Sequence, residues 1–327
     1  MLEPSKRLQM TEDRLDTESK PLLKINFCDF WPDFQKENNY FYHLLSLSFN
    51  VQIDDINPEL LFFSVDYARR RERNIYAGHH CKKIFYTGES VSANFDSPQS
   101  IEMSNHSANY SIGQCDYAFT FDFSDDARHL RLPLWVLQID WFKKGGYGNP
   151  EYVLPLDEIY DNAYIQNPKS KFCAFIFNNP TPKRINTYNQ FEQQYKKVDG
   201  YGVPFNNWFY GERKKYDTLK DYKFSICFEN GLYPGYYTEK LFHAKTAGTV
   251  PIYYADKNAG YDFNENSFIN LNNFKSTHDL IEYVKKVDLD DDLYHQYLSE
   301  PLFKDRKIKP EFFPEAVLGF FESVILA

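Results

Sequence analysis

Residues 222–254 read YKFSICFENGLYPGYYTEKLFHAKTAGTVPIYY, and their pattern predicts a strand, a loop, a helix and a second strand. Both predicted strands are short apolar runs rich in aromatic and β-branched residues, as expected for strands covered on both faces. Between them, Thr238 is a plausible N-cap, and Gly248 follows the last helical turn, where a C-cap glycine is common. This strand–helix–strand unit predicts a parallel α/β fold.

Apolar runs and helical patterns alternate on both sides of this unit. Residues 149–170 interrupt the alternation, because they contain prolines and show little periodicity, and they are interpreted as a connector. AVLGFFESVILA, at the end of the chain, is too short to span a bilayer and is predicted to pack as a helix. The predicted strands are LKINFCDFW, VQIDDI, ELLFFSV, KKIFYTGE, CDYAFTFDF and LPLWVLQIDW before the connector, and KFCAFIFN, YKFSICFEN and TVPIYYAD after it.

This alternation predicts two α/β domains with a ligand cleft between them, near the carboxyl ends of strands. Neither half contains G-x-G-x-x-G or G-x-x-x-x-G-K-[ST], so a dinucleotide dehydrogenase and a P-loop enzyme lack their signatures. The predicted division is a polar leader at 1–22, an N-terminal domain at 23–150, a C-terminal domain at 151–305 and a C-terminal helix at 306–327.

Composition excludes some functions and favours one cellular setting. The net charge of −9, without a basic stripe, argues against nucleic acid as a partner. The 26 tyrosines and 30 phenylalanines hint at sugar-stacking surfaces, although many such rings are core. An odd number of widely spaced cysteines without a CxxC pair predicts reduced thiols rather than a zinc site or a disulfide framework. The five are Cys28, Cys81, Cys115, Cys173 and Cys227.

The start of the helix in the opening stretch carries polar residues suited to a nucleotide. Free N–H groups and the positive end of the helix dipole favour an anion there. Lys240 can therefore hold a diphosphate, Glu239 can accept hydrogen bonds from ribose hydroxyls, and Tyr236 can stack on a base or ribose. The same residues also fit a plain helix start, with a capping Glu239, a solvated Lys240 and a packed tyrosine.

The order of these segments resembles that of the α-1,3/4-fucosyltransferases of the bacterial type. Their donor-binding region has an F-x-x-x-F-E-N strand, a loop, Y-x-T-E-K, a helix and a V/I-P-I/V-Y strand, and FSICFEN, GYYTEKL and TVPIYY follow in that order here. IFYTGESVSANFD (84–96) and the stretch from SIGQCDYAFTFDF to RLPLWV (111–136) extend the resemblance, which covers residues 24 to 300.

The resemblance implies a GT-B fold, with two Rossmann-like domains that face a central cleft. The N-terminal domain would bind an oligosaccharide acceptor, and the C-terminal domain would bind GDP-fucose and release GDP. The implied reaction is an inverting transfer of L-fucose to the 3-hydroxyl of N-acetylglucosamine in N-acetyllactosamine, with a Lewis-x-like product and Glu89 as general base. Transfer to the 4-hydroxyl, another nucleotide sugar, and sugar-nucleotide binding without turnover remain open alternatives.

The family motifs also imply the donor contacts. The segment NNPTPKRINTY is shorter by one residue before its arginine than in the family, so Lys183 competes with Arg184 for the phosphates. Glu229 is adjacent to the motif, and its role is left open. The implied contacts are Arg184, Asn230 and Tyr236 to the donor, Glu239 to the ribose and Lys240 to the diphosphate.

Position along the chain suggests Trp31, His129 and Arg131 as acceptor-binding residues. Acidic runs occur in FDFSDD (121–126) and DLDDD (288–292), the second with D-x-D triplets, but no metal site is predicted, because cationic side chains and helix ends can offset the diphosphate charge. No cofactor is implied beyond the donor substrate. The predicted location is the bacterial cytoplasm, at most peripheral to the inner membrane, or the Golgi lumen if the chain is part of a eukaryotic enzyme.

Overall fold

The fold contains two parallel sheets. The computed structural model describes residues 20–31, 33–65, 71–89, 115–161, 165, 168–207 and 211–326. In the N-terminal sheet six strands lie side by side in the order β2-β1-β3-β4-β5-β6, and all neighbouring pairs are parallel. The strands are β1 (Leu22–Cys28), β2 (Asn50–Ile53), β3 (Leu60–Phe63), β4 (Lys82–Tyr86), β5 (Tyr117–Thr120) and β6 (His129–Arg131).

The C-terminal sheet has five strands in the order β11-β10-β9-β7-β8, again with parallel neighbours. Counted from the first strand of each sheet, both sheets start with the order 2-1-3-4-5. In this topology the crossover direction reverses between the first and third strands, and a ligand crevice forms at the carboxyl ends there. The strands are β7 (Lys171–Ile176), β8 (Asp199–Tyr201), β9 (Tyr222–Ile226), β10 (Val250–Tyr253) and β11 (Ile269–Asn270).

Helices connect the strands, and side chains cap several of them. Asn39 caps α1, Ser276 caps α7 and Asp290 caps α8, each by accepting a bond from a backbone N–H of the first turn. The helices are α1 (Tyr40–Leu45), α2 (Leu156–Asp161), α3 (Pro182–Gln194), α4 (Glu212–Leu219), α5 (Glu239–Thr246), α6 (Ala259–Asp262), α7 (Thr277–Leu289), α8 (Asp291–Ser299) and α9 (Pro314–Phe320), followed by a π-helical turn (Phe321–Ile325).

One predicted strand is wrong. LPLWVLQIDW forms a short 3₁₀ helix at Leu134–Gln138, and the sixth strand lies just before it, at His129–Arg131. Pro133 explains the difference, because proline has no N–H to donate to a sheet, and it stands directly before the 3₁₀ helix. The apolar run is buried nonetheless: Trp135 is fully enclosed and packs against Phe263 and Phe303 of the C-terminal half.

The end of the chain returns to the N-terminal sheet, as a packed terminal helix would. The ring of Phe321 stacks on Phe119 of β5, with the ring centres 5.1 Å apart, and also meets Phe41 and Phe62. The hydroxyl of Tyr117 donates to the carbonyl oxygen of Val324 at 3.0 Å. The chain therefore crosses from one sheet to the other twice, which ties the two halves together.

All five cysteines are buried free thiols. Within the described part of the chain, no helix has the length and the apolar character needed to cross a membrane.

Phe321→Ala is expected to lower the free energy of unfolding by about 3–5 kcal/mol, because the cavity left under β5 cannot refill. Urea unfolding followed by circular dichroism measures the change. Leu289→Ala is the control: Leu289 is 70% exposed, so its loss should cost less than about 0.5 kcal/mol. Equal costs for the two variants would mean that the terminal segment does not stabilise the N-terminal sheet.

Candidate active site between the two sheets

A buried carboxylate organises the loop of residues 229–238, the β9–α5 loop. Glu229 lies just beyond β9 and accepts bonds from the backbone N–H of Thr238 at 2.9 Å and from the Tyr253 hydroxyl at 2.7 Å. Thr238 stands at the N-cap position, but its hydroxyl makes no cap bond and donates to Glu229 instead. Thr238 is thus the N-cap residue, as predicted, but its side chain makes no cap bond, because its hydroxyl donates to Glu229 and accepts from Lys240. Glu229, whose role the sequence left open, therefore stabilises the β9–α5 loop.

Lys240 and Glu239 occupy the first turn of α5, beside this carboxylate. The ammonium of Lys240 lies 3.0 Å from Glu229 and 2.9 Å from the Thr238 hydroxyl. Burial opposes the charge of Lys240, but the carboxylates of Glu229, Glu239 and Glu89 outweigh it and hold its pKa above the ordinary value. Lys240 is therefore a fixed positive charge at the start of the helix.

A lysine from another helix orients Glu239. Lys215 of α4 lies 2.7 Å from the Glu239 carboxylate, and both side chains are partly buried. Burial favours the protonated form of Glu239, but Lys215 and Lys240 prevail and hold its pKa well below the ordinary value. The other carboxylate oxygen lies 3.7 Å from Lys240, and an ionised carboxylate can accept hydrogen bonds from the hydroxyl pair of a ribose. The sequence carried no signal for Lys215, because only the packing of α4 on α5 brings it here.

Arg184 lies at the reversal point of the C-terminal sheet. Its guanidinium donates to the carbonyl oxygens of Asn179 and Phe228 at 3.0 and 2.5 Å and to the side chain of Asn230 at 2.8 Å. These partners follow β7 and β9, the strands between which the crossover reverses. Arg184 is 2% exposed and its Nε has no hydrogen-bond partner among the described residues, whereas Lys183 is exposed and lies over the ring of Tyr254. The geometry favours Arg184 for an anion at this point.

Glu89 reaches the site from the other sheet. It follows β4, where its N–H and its carbonyl oxygen both bond to the Thr87 hydroxyl. Its carboxylate accepts a 2.9 Å bond from the hydroxyl of Tyr236, which belongs to the β9–α5 loop. The carboxyl ends of the two sheets therefore face each other. Glu89 is the last described residue before a gap, so the rest of its motif, residues 90–96, lies outside the described residues.

The surroundings of Glu89 make it a better base than an exposed glutamate. Burial raises its pKa above 4.5, and the carboxylates of Glu239 and Glu229 act in the same direction, against Lys240 and the Tyr236 bond. A raised pKa increases the proton affinity of the carboxylate at neutral pH. Tyr236 is 1% exposed, and its ring packs on Phe121. In the described conformation a ligand could therefore meet the hydroxyl of Tyr236 but could not stack on its ring.

The three residues suggested for the acceptor do not form one group, because Trp31 follows β1, whereas His129 and Arg131 both lie on β6. Trp31 follows β1 and packs edge-on against Phe30 and Phe34. His129 is buried on β6, where its Nε2 pairs with the Thr120 hydroxyl at 2.8 Å. Arg131 forms a two-pronged ion pair with Asp262 of α6. Their acceptor contacts stay predictions.

Aspartates of both acidic runs pair with cationic side chains in the structure. Asp288 contacts Lys196 and Lys223 at 2.6 and 2.7 Å, and Asp126 contacts Arg128. Among the described residues, no three His, Cys, Asp or Glu side chains are grouped so that they could hold a metal ion.

Known proteins share both halves of this arrangement. Residues 166–302 match the model of the C-terminal region of glycosyltransferase family 10 (fucosyltransferase), and residues 25–138 match that of the N-terminal domain of the α-(1,3)-fucosyltransferase FucT. A solved α1,3-fucosyltransferase with GDP-fucose superposes with a TM-score of 0.68 and 25% identity, over 96% of this chain and 93% of that one. The chain belongs to the glycosyltransferase family 10 fucosyltransferases, and the predicted GT-B fold is confirmed.

Two curated relatives show how far the likeness extends. The α-(1,3)-fucosyltransferase FucT of Helicobacter pylori is 26% identical over 96% of this chain and 68% of its own length. The 4-galactosyl-N-acetylglucosaminide 3-α-L-fucosyltransferase 9 of Mus musculus is 30% identical over 40% of this chain and 37% of its own length. The prediction of a fucosyltransferase is thus confirmed at the level of the family, with relatives in bacteria and in animals.

Glu229→Gln is expected to destabilise the protein by about 2–4 kcal/mol, because it removes the charge opposite Lys240 and brings an NH₂ group toward buried donors. Urea unfolding measures the loss. Glu282→Gln is the matched control, since Glu282 lies 3.8 Å from Lys285 on an exposed surface, and its loss should cost less than about 0.5 kcal/mol. Similar midpoints for the two variants would show that Glu229 does not organise the β9–α5 loop.

Proposed function

We propose that this chain transfers L-fucose from GDP-fucose to the 3-hydroxyl of N-acetylglucosamine in N-acetyllactosamine-type glycans, giving a Lewis-x-like product. The proposal rests on the 2.9 Å bond between Tyr236 and Glu89, which brings a carboxylate from one sheet to the β9–α5 loop of the other, close to the start of α5 and Lys240. The solved relative with GDP-fucose supports the donor, and the name of the mouse relative supports the acceptor and the linkage.

The chemistry assigned to Glu89 is general-base catalysis of a single displacement. Glu89 takes the proton of the acceptor hydroxyl, while that oxygen forms a bond to the anomeric carbon of fucose. The bond between this carbon and the β-phosphate oxygen breaks on the opposite face, so β-linked fucose becomes α-linked fucose, and GDP leaves with the electron pair. The raised pKa of Glu89 suits the proton transfer.

Arg184 and Lys240 are the groups proposed to stabilise the departing diphosphate. Arg184 offers a guanidinium held by carbonyl oxygens at the reversal point, and no residue in the described part of the chain binds its Nε. Lys240 stands at the N-terminus of α5, where the helix dipole adds to its charge. These positive groups can do the work of a metal ion, so we propose a metal-independent transfer that uses no further cofactor.

Two further donor contacts complete the proposed site. Glu239 binds the ribose hydroxyls in its ionised form, with Lys215 holding one carboxylate oxygen. Asn230, already bonded to Arg184, lies at the same edge and offers its amide to the nucleotide. The cell compartment we propose is the bacterial cytoplasm, where GDP-fucose is available to a peripheral or unanchored enzyme.

The chain is expected to fucosylate N-acetyllactosamine from GDP-fucose with EDTA present, and Glu89→Gln is expected to lower kcat by about 10²–10⁴-fold. GDP affinity should stay within about twofold, because the base does not hold the leaving group. Mass spectrometry of the product and calorimetry of GDP binding measure the two. The acid limb of the wild-type profile of kcat/KM should have its midpoint above pH 4.5, in keeping with the raised pKa of Glu89, and should be absent from the variant.

Glu282→Gln serves as the exposed control and should leave the rate unchanged. Transfer from another nucleotide sugar only would show that GDP-fucose is not the donor. Donor binding without transfer to any acceptor would show that the protein binds a sugar nucleotide without turnover. Loss of activity in EDTA would overturn the metal-independent step alone. A rate that Glu89→Gln leaves intact would remove Glu89 as the base.

Arg184→Ala is expected to weaken GDP binding by about tenfold or more, in line with the loss of one charge-assisted hydrogen bond. Lys183→Ala is the neighbouring control: its exposed side chain lies over Tyr254, and its loss should change the affinity by less than about twofold. Calorimetry with GDP, with the melting temperature of each variant recorded, makes the comparison. The opposite ranking would assign the phosphates to Lys183.

A further inference from the structure

One arginine joins the two halves of the molecule beside the proposed active site. Arg131, the last residue of β6, donates to both carboxylate oxygens of Asp262 in α6, at 2.8 and 2.9 Å. The Asp262 side chain is fully buried, that of Arg131 is 11% exposed, and the indole N–H of Trp135 adds a third bond to the same carboxylate at 2.8 Å. A pair this enclosed, with its hydrogen bonds satisfied, has a single geometry.

Arg131 also donates to two backbone carbonyl oxygens beside the proposed active site. Its Nε donates to the carbonyl oxygen of Phe121, beyond β5, at 3.0 Å, and one Nη donates to that of Gly235 at 3.3 Å. Gly235 belongs to the β9–α5 loop. One guanidinium therefore spans the edge of the N-terminal sheet, the β9–α5 loop and α6.

At Gly235 the loop backbone approaches the N-terminal sheet more closely than a side chain would permit. Gly235 has φ +84°, and a Cβ there would lie 2.4 Å from the carbonyl oxygen of Phe121. The next residue, Tyr236, packs its ring on Phe121, with centres 5.2 Å apart, and bonds to Glu89. The contact between base and loop thus depends on how the loop is held one residue earlier.

We infer that Arg131 is a positioning residue for the transfer reaction: with Asp262 it clasps the β9–α5 loop to the N-terminal sheet and so keeps the Tyr236 hydroxyl on Glu89. The inference rests on the proposed role of Glu89 as base. It replaces the acceptor contact suggested for Arg131 by an indirect role, in which Arg131 touches neither the substrate nor the reacting atoms.

Several groups face Glu89, and the Arg131–Asp262 pair acts on one of them, Tyr236. From α5 and its loop come Lys240, Glu239, Glu229 and Tyr236, from the C-terminal sheet edge comes Arg184, and on β4 itself lies Tyr86. Of these, Tyr236 adjoins the Gly235 carbonyl that Arg131 binds. Its hydrogen bond favours the ionised carboxylate, so loss of that bond raises the pKa of Glu89.

The test compares the pH profiles of kcat/KM for Arg131→Ala, Tyr236→Phe and the double variant. Each single variant should move the acid limb to higher pH by about one unit, and the double variant should move it no further, because both changes remove one contact. The KM for acceptor, measured above the limb, should stay within about twofold of the wild type. Arg128→Ala is the control: Arg128 pairs with Asp126 on the exposed surface near β6, and its loss should move nothing.

Gly235→Ala provides a second route if Arg131→Ala fails to fold. It leaves Arg131 intact but pushes the loop from Phe121, so it should shift the limb in the same direction. A raised acceptor KM with an unmoved limb would restore the acceptor role of Arg131, and additive shifts would show that the effect bypasses Tyr236. A limb that persists in Glu89→Gln would instead contradict the proposed base, which separates the two failures.

Discussion

The carboxylate of Glu229 is the constraint on which the site depends. A buried carboxylate must be paired and hydrogen-bonded, and here Thr238, Tyr253 and Lys240 all meet this need. By satisfying it they fix the end of β9, the start of α5 and the side of β10 in one arrangement. The cation of Lys240 and the carboxylate of Glu239, which is proposed to bind ribose, are placed as a consequence. A change at Glu229 would therefore act on several proposed functional groups at once.

The second constraint is that the two sheets meet at their carboxyl ends. The carboxyl ends of parallel strands lie along one edge of a sheet, so the polar residues that follow the strands form a single row there. Facing rows bring together Glu89 from one sheet and Arg184 and Lys240 from the other, and their charges alter one another's pKa values. Among the described residues, the proposed base thus comes from one half and the proposed phosphate-binding cations from the other.

The fold and the residue types of the site could be predicted because they depend on local pattern. Apolar runs of strand length alternate with helices, which indicated the α/β class. The family motif in GYYTEKL indicated Glu239 and Lys240, and the motifs in IFYTGESVSANFD and NNPTPKRINTY indicated Glu89 and Arg184. LPLWVLQIDW failed as a strand for a reason visible in the sequence, since Pro133 cannot join a sheet ladder.

The sequence by itself determined the α/β class, most of the strands and which residues carry charge at their ends. Tertiary structure alone decided the partners: Lys215 on Glu239, Tyr236 on Glu89 and Arg131 on Asp262. These contacts join residues far apart in the chain, and their geometry follows from how helices and sheets pack. Periodicity reports only the neighbours a residue has within its own element, so no pattern of spacing could reveal them.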